Sequence, residues 1–178
     1  MLRITMILFV LVLGVLPSNP AAASDIVGVY FDIEATINHL SGPGASIPFN
    51  AYLILGGPSE EGVYGYELSY LIESSDLLML GMVVAGDHIG DPGYPFEAEG
   101  DDIVVEFLNP LPGETEIVFV YWQFLRLTSV FSPITFYLGA AQNGSGASEG
   151  MFYMTDSGVV PMAANSESPG GPVAFIDR

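Results

Sequence analysis

From residue 26 onward, apolar and polar side chains alternate with a period of two through most of the chain. In residues 26–36 the apolar set is Val27, Val29, Phe31, Ile33 and Ala35, with Asp32 and Glu34 on the opposite side. Residues 47–55 repeat the pattern with Ile47, Phe49, Ala51, Leu53 and Leu55. Residues 63–73 do so with Tyr64, Tyr66, Leu68, Tyr70 and Ile72. Successive side chains of a strand point to opposite faces, so each segment predicts a half-buried β-strand. Residues 77–85 are apolar on both faces, which predicts a central or well-covered strand, with a short helix as the alternative. Residues 103–108 predict a short strand, and residues 115–128 a long one rich in β-branched and aromatic side chains. In the latter, Val118, Val120, Trp122 and Phe124 fall on one face and Ile117, Phe119, Tyr121 and Leu125 on the other, the signature of a strand covered on both sides.

Residues 133–141, 151–155, 159–162 and 173–176 predict further strands. Clusters of glycine, proline, serine and acid separate them, at residues 41–44, 56–62, 86–102, 109–113, 142–150 and 169–172. No amphipathic helical period emerges. About nine strands with turns between them predict an all-β chain folded as an antiparallel β-sandwich, jelly-roll or immunoglobulin-like. Residues 24–178 read as one such domain, without an internal repeat.

One stretch carries a family likeness. Ala51-Tyr52-Leu53-Ile54-Leu55 forms an alternating strand, Gly62-Val63-Tyr64-Gly65-Tyr66-Glu67-Leu68-Ser69-Tyr70 follows a short loop, and Leu77-Leu78 comes after the next turn. This order resembles the cohesin-type β-sandwich modules of exported bacterial proteins. The likeness spans about residues 47–80. It departs from the family pattern where Leu71-Ile72-Glu73 stands in place of an Asp-Pro turn after Tyr70. The resemblance implies a nine-stranded sandwich with a non-catalytic, interaction-type role.

The N-terminus has a different character. Arg3 supplies a positive start, residues 4–16 are apolar and uncharged, and Pro17 to Pro20 break any helix. Ala21-Ala22-Ala23 then offers a small-residue cleavage site. Residues 1–23 therefore read as a secretory signal peptide, the alternative being an uncleaved N-terminal anchor. The apolar run is shorter than the roughly 20 residues of a comfortable membrane span. With no cysteine in the chain, neither a lipid anchor on a cysteine nor a disulfide framework is available. The expected location is secreted, extracellular or periplasmic, with no membrane insertion after signal cleavage.

Charge narrows the partners. The chain has 21 acidic residues and only three basic ones, Arg3, Arg126 and Arg178, for a formal charge of −18. Nucleic acid is excluded, because phosphate binding requires clustered Lys and Arg. Anionic membrane surfaces are excluded for the same reason. Three roles fit the acidity: solubility of an apolar-rich chain, calcium binding, and adaptation to a saline medium.

The candidate chemistry is sparse. Residues 87–102 gather Asp87, Asp91, Glu97, Glu99, Asp101 and Asp102 among glycines and prolines. Calcium could draw such carboxylates together, although the spacing is not that of an EF-hand; the alternative is a solvated acidic loop. His39 reads as a turn residue at a strand end and His88 as part of the acidic loop, in no zinc-binding spacing. Gly144-Ser145-Gly146 is not a nucleophile elbow. Trp122 and Tyr64, Tyr66 and Tyr70 read as core rather than as a sugar-stacking platform. Asn143-Gly144-Ser145 reads as a turn. No catalytic, cofactor-binding or metal-ligating residue is assigned.

The sequence therefore predicts a secreted, non-catalytic β-sandwich for protein–protein interaction or cell-surface assembly, its partner a protein or a polysaccharide. A carbohydrate-binding module and a hydrolase with an unrecognised carboxylate site are the alternatives. Exposed rows of aromatics favour sugar. A flat apolar or unpaired strand edge favours protein assembly. A concave pocket with convergent carboxylates favours an enzyme.

Overall fold

A computed structural model describes residues 25–91, 101–113, 115–128, 132–144 and 150–177. The signal segment 1–23, Glu97, Glu99, Ser145 and Arg178 lie outside them. The described chain is all-β, with thirteen strands in two sheets. These are β1 (Ile26–Tyr30), β2 (His39–Ser41), β3 (Pro48–Gly56), β4 (Val63–Glu73), β5 (Leu77–Val84), β6 (His88–Asp91), β7 (Asp101–Leu111), β8 (Glu116–Arg126), β9 (Ile134–Gly139), β10 (Phe152–Thr155), β11 (Gly158–Pro161), β12 (Ala163–Ala164) and β13 (Ala174–Asp177).

The first sheet has the order β12-β1-β3-β8-β5. The second runs β11-β10-β4-β9-β13-β2. In it β10 and β9 share one edge of β4, while β7 pairs along its other edge and carries β6 beyond. All pairs are antiparallel except β1–β12 and β13–β2, through which late strands close against early ones. Val27, Val29, Ala51 and Leu53 of the first sheet face Leu68, Ile103, Val105 and Ile176 of the second. Aromatic rings bridge the layers: Tyr66 stacks on Phe119 at 4.1 Å, and Tyr70 meets Trp122 at 5.4 Å. Tyr66 Oη and Trp122 Nε1 are buried there without a hydrogen-bond partner, and burial pushes the Tyr66 phenol far above its ordinary pKa.

The structure corrects several expectations, and bulges account for most of them. A β-bulge puts two residues of one strand opposite one of its partner and so moves later side chains to the other face. The bulge between Leu53 and Ile54 brings Ile117 and Phe119 to the core and turns Val118 outward. The irregularity between Val63 and Gly65 buries Val63 and leaves Tyr64 39% exposed, so Tyr64 is not core, whereas Tyr66 and Tyr70 are. Strand β1 stops at Tyr30 instead of reaching residue 36. There the Asp32 carboxylate accepts hydrogen bonds from the Thr36 and Ile37 amides, and Ala35 takes φ +53°, which folds the chain into a tight loop and leaves Ile33 exposed. Ile47, just before β3, is exposed as well.

Two placements change at a larger scale. Residues 77–85 do not form a covered strand: β5 is an edge of the first sheet. The acidic segment is not one long loop. Residues 88–91 pair with β7, whose span of Asp101–Leu111 exceeds the expected 103–108, so His88 lies in a strand. His39 is likewise a strand residue, stacked on Phe175 at 4.1 Å and bonded to Asp177 at 2.7 Å.

Close approach fixes one glycine. A Cβ on Gly65 would run into the Val105 carbonyl oxygen and Met154 Cε, within the packing of β10 and β7 on β4. Gly65→Ala should therefore cost about 1–3 kcal/mol by overpacking. Urea unfolding measures it, and an unchanged midpoint would refute the close approach.

Candidate functional site

The two outer faces of the sandwich differ in chemistry. Residues opposite one another in an antiparallel pair project to the same side, so the registers assign each face. On the outer face of the second sheet, Gly65 lies opposite Glu106, Glu67 opposite Val104, Ser69 opposite Asp102 and Gly139, and Leu71 opposite Tyr137. Glu73 completes the row on β4 and bonds Tyr137 Oη at 3.2 Å. This face is therefore rich in carboxylates. Among the described residues the one arginine, Arg126, is fully buried elsewhere, so no exposed fixed cation offsets them.

A groove of about 490 Å3 opens on this face where β4, β7 and β9 meet the 142–143 loop. Ser69, Asp101, Asp102, Tyr137, Gln142 and Asn143 line it, with Leu71 and Gly139 in its wall. Strand geometry supplies Ser69, Asp102 and Tyr137. The loop is held by one carboxylate: Asp102 accepts hydrogen bonds from Gln142 N (3.0 Å), Asn143 N (2.7 Å) and Asn143 Nδ2 (3.1 Å). Bonds to an ionised acceptor are worth about 1.5–3 kcal/mol. Gly144 lies beside the Glu67 carboxylate, at a point where a Cβ would collide with it. The same loop thus roofs Glu67, which is 2% exposed. Asp102→Ala should release this loop and speed amide exchange at Gln142 and Asn143 by about tenfold or more. Exchange rates equal to the parent's would show that the loop is held by something else.

The carboxylates of the groove do not form a converging pair. Asp102 is opposite Ser69 on the outer face, whereas its neighbour Asp101 is opposite Tyr70, whose ring enters the core. Asp102 is also committed to three donors of the loop. Acid–base chemistry on a sugar needs two carboxylates facing one bond, and Asp101 and Asp102 are not so placed. Of the acidic segment 87–102, the structure brings Asp101 and Asp102 to the groove; Asp87 sits at the far end of the β6–β7 hairpin and His88 beside it. Among the described residues no group of three or more His, Asp or Glu is placed to hold a metal ion. Glu73 and Tyr137 belong to the site, and sequence reading missed both; Glu73 on the polar side of an alternating strand was the available signal.

The first sheet presents the opposite character. Tyr30 lies opposite Tyr52, Tyr52 opposite Tyr121 and Tyr121 opposite Val83, forming one row across four strands. The tyrosines are half-buried, with Tyr52 and Tyr121 5.4 Å apart and tilted by 47°. Trp122 takes no part in this row, being fully buried.

Comparison with known proteins places this architecture. No protein-family model matches the chain, and no curated protein matches it. Solved structures do. The sixth cohesin of scaffoldin B from Acetivibrio cellulolyticus, solved in complex with a Cel5 dockerin mutant, superposes with TM-score 0.56 at 11% identity, over 87% of this chain and 99% of that one. The cohesin of the OlpC–Doc435 complex from Clostridium thermocellum gives 0.54 at 12% identity, over 87% and 96%. A type II cohesin domain from the Acetivibrio cellulolyticus cellulosome gives 0.54 at 9% identity, over 86% and 94%. The chain thus has a cohesin-like β-sandwich fold. The likeness extends across most of the chain, well beyond the segment 47–80 that suggested it.

Proposed function

We propose that this chain is an exported, non-catalytic module that binds a protein partner through the acidic outer face of its second sheet. The observation that carries this reading is the groove between β4, β7, β9 and the 142–143 loop, set in a face of carboxylates that no exposed arginine or lysine offsets among the described residues. Such a face attracts a partner with a basic surface and speeds their encounter. Two of the similar structures were solved with a dockerin bound, which makes a dockerin module with a basic face the first partner to try. Assembly on a cell surface would follow if that partner is itself anchored there.

The test is a titration of the full chain with a panel of dockerin modules at low and high salt. At least one should bind, with affinity falling as salt rises. The Glu73→Gln, Glu106→Gln double variant should bind about 2–10-fold more weakly. Absence of binding across the panel, or binding indifferent to both salt and the double variant, would count against the proposal.

A further inference from the structure

The free edge of the first sheet is unlike every other edge of the sandwich. Strand edges expose unpaired N–H and C=O groups, and proteins blunt them with short strands, prolines, charges or covers. Here β12 has two residues and β2 three, β11 ends in Pro161, and β6 is four residues long and carries His88 and Asp91. Strand β5 has none of these, and its one interruption is an irregularity between Met79 and Gly81. It is eight residues long, LLMLGMVV, with neither charge nor proline, and among the described residues no strand pairs with its outer side. Leu78, Leu80 and Val83 on it are 39%, 45% and 60% exposed.

The surface beside this edge is also uncharged. Val83 continues the row of Tyr121 and Tyr52, and Leu78 lies opposite Leu125. Between them on β8 and β3 sit Gln123 and Asn50, which are opposite one another. On a chain with formal charge −18, copies repel each other wherever carboxylates meet. The β5 edge and its flank combine exposed apolar side chains with neutral neighbours, so two copies can meet there without opposing carboxylates.

We propose that β5 pairs antiparallel with β5 of a second copy of this chain, joining the two first sheets across a two-fold axis. Such an interface is self-complementary: the same edge supplies donors and acceptors on both sides. Leu78, Leu80 and Val83 of the two copies come together on the outer side of the joined sheet. The acidic groove lies on the other sheet of each copy and stays open.

Sedimentation of the chain from residue 24 onward tests this. The expected result is twice the monomer mass, with dimerisation strengthened by salt, because screening removes like-charge repulsion. Leu80→Lys with Val83→Lys should give a monomer with an unchanged melting temperature, since both side chains are exposed in one copy. A monomer at every concentration and salt overturns the proposal. So does a dimer that survives the double substitution. A monomer retained on an insoluble neutral glucan also overturns it, and assigns the tyrosine row to a polysaccharide.

Discussion

Replacing Arg126 with leucine lowers the unfolding free energy by about 3–5 kcal/mol, because it leaves a buried carboxylate without its cation. Arg126 is 0% exposed and Asp76 is 5% exposed, and Arg126 Nε lies 3.4 Å from Asp76 Oδ2. Arg126 Nη2 also donates to the Ser132 carbonyl. Asp76 accepts from Ser74 Oγ (3.2 Å) and Thr128 Oγ1 (3.0 Å), while its own carbonyl receives the Leu127 amide (2.7 Å). The pair therefore ties the β4–β5 turn to the exit of β8. Pairing Arg126→Leu with Asp76→Asn should restore part of the loss, since the stranded charge is then removed as well. Urea unfolding of the two single variants and the double variant measures this. A single-variant cost below about 1 kcal/mol would place Asp76 in contact with water and refute the buried pair.

Trp122→Ala should cost about 3–5 kcal/mol through lost burial and the cavity left behind. Trp122 is fully buried on the inner face of β8, between Ala51 of β3 and Met82 of β5, and its ring meets Tyr70 across the sandwich. Its Nε1 has no hydrogen-bond partner, so Trp122→Phe gives up a desolvated donor along with some volume and should cost distinctly less than alanine. As the chain's one tryptophan, it also reports on the core directly. Its fluorescence should be that of an apolar site in the folded protein and shift to the red in the same transition that the far-ultraviolet signal follows. Emission already typical of water in the folded state would contradict this packing.

The alternation of Val27 and Val29, of Phe49 to Leu55, and of Tyr66 to Tyr70 was legible because the apolar residues at period two are the ones that enter the core there. It failed where backbone irregularities intervened. No local signal marks the bulges at Leu53/Ile54 or Val63/Gly65, so the faces of Phe119 and Tyr64 were misassigned. Local sequence also gives no position within a sheet. Strand β5 is apolar on both faces, like a buried strand, yet forms an edge, because what would cover it is not set by its own residues. The groove was legible only in pieces. Asp102 belonged to a segment singled out for its acidity and Asn143 to a turn, but their pairing links chain segments about 40 residues apart. The Arg126–Asp76 pair left a trace: an arginine at the end of a long, apolar-rich strand requires a partner when it is buried.

We propose that the acidic face of the second sheet, rather than the tyrosine-bearing face of the first, receives the protein partner. Amide hydrogen exchange of the full chain, with and without a bound dockerin, separates the two faces most directly. Added protection is expected in β4, β7, β9 and at Gln142 and Asn143, with β5 and β8 unchanged by the dockerin. Added protection confined to β3, β8 and β5 would contradict it.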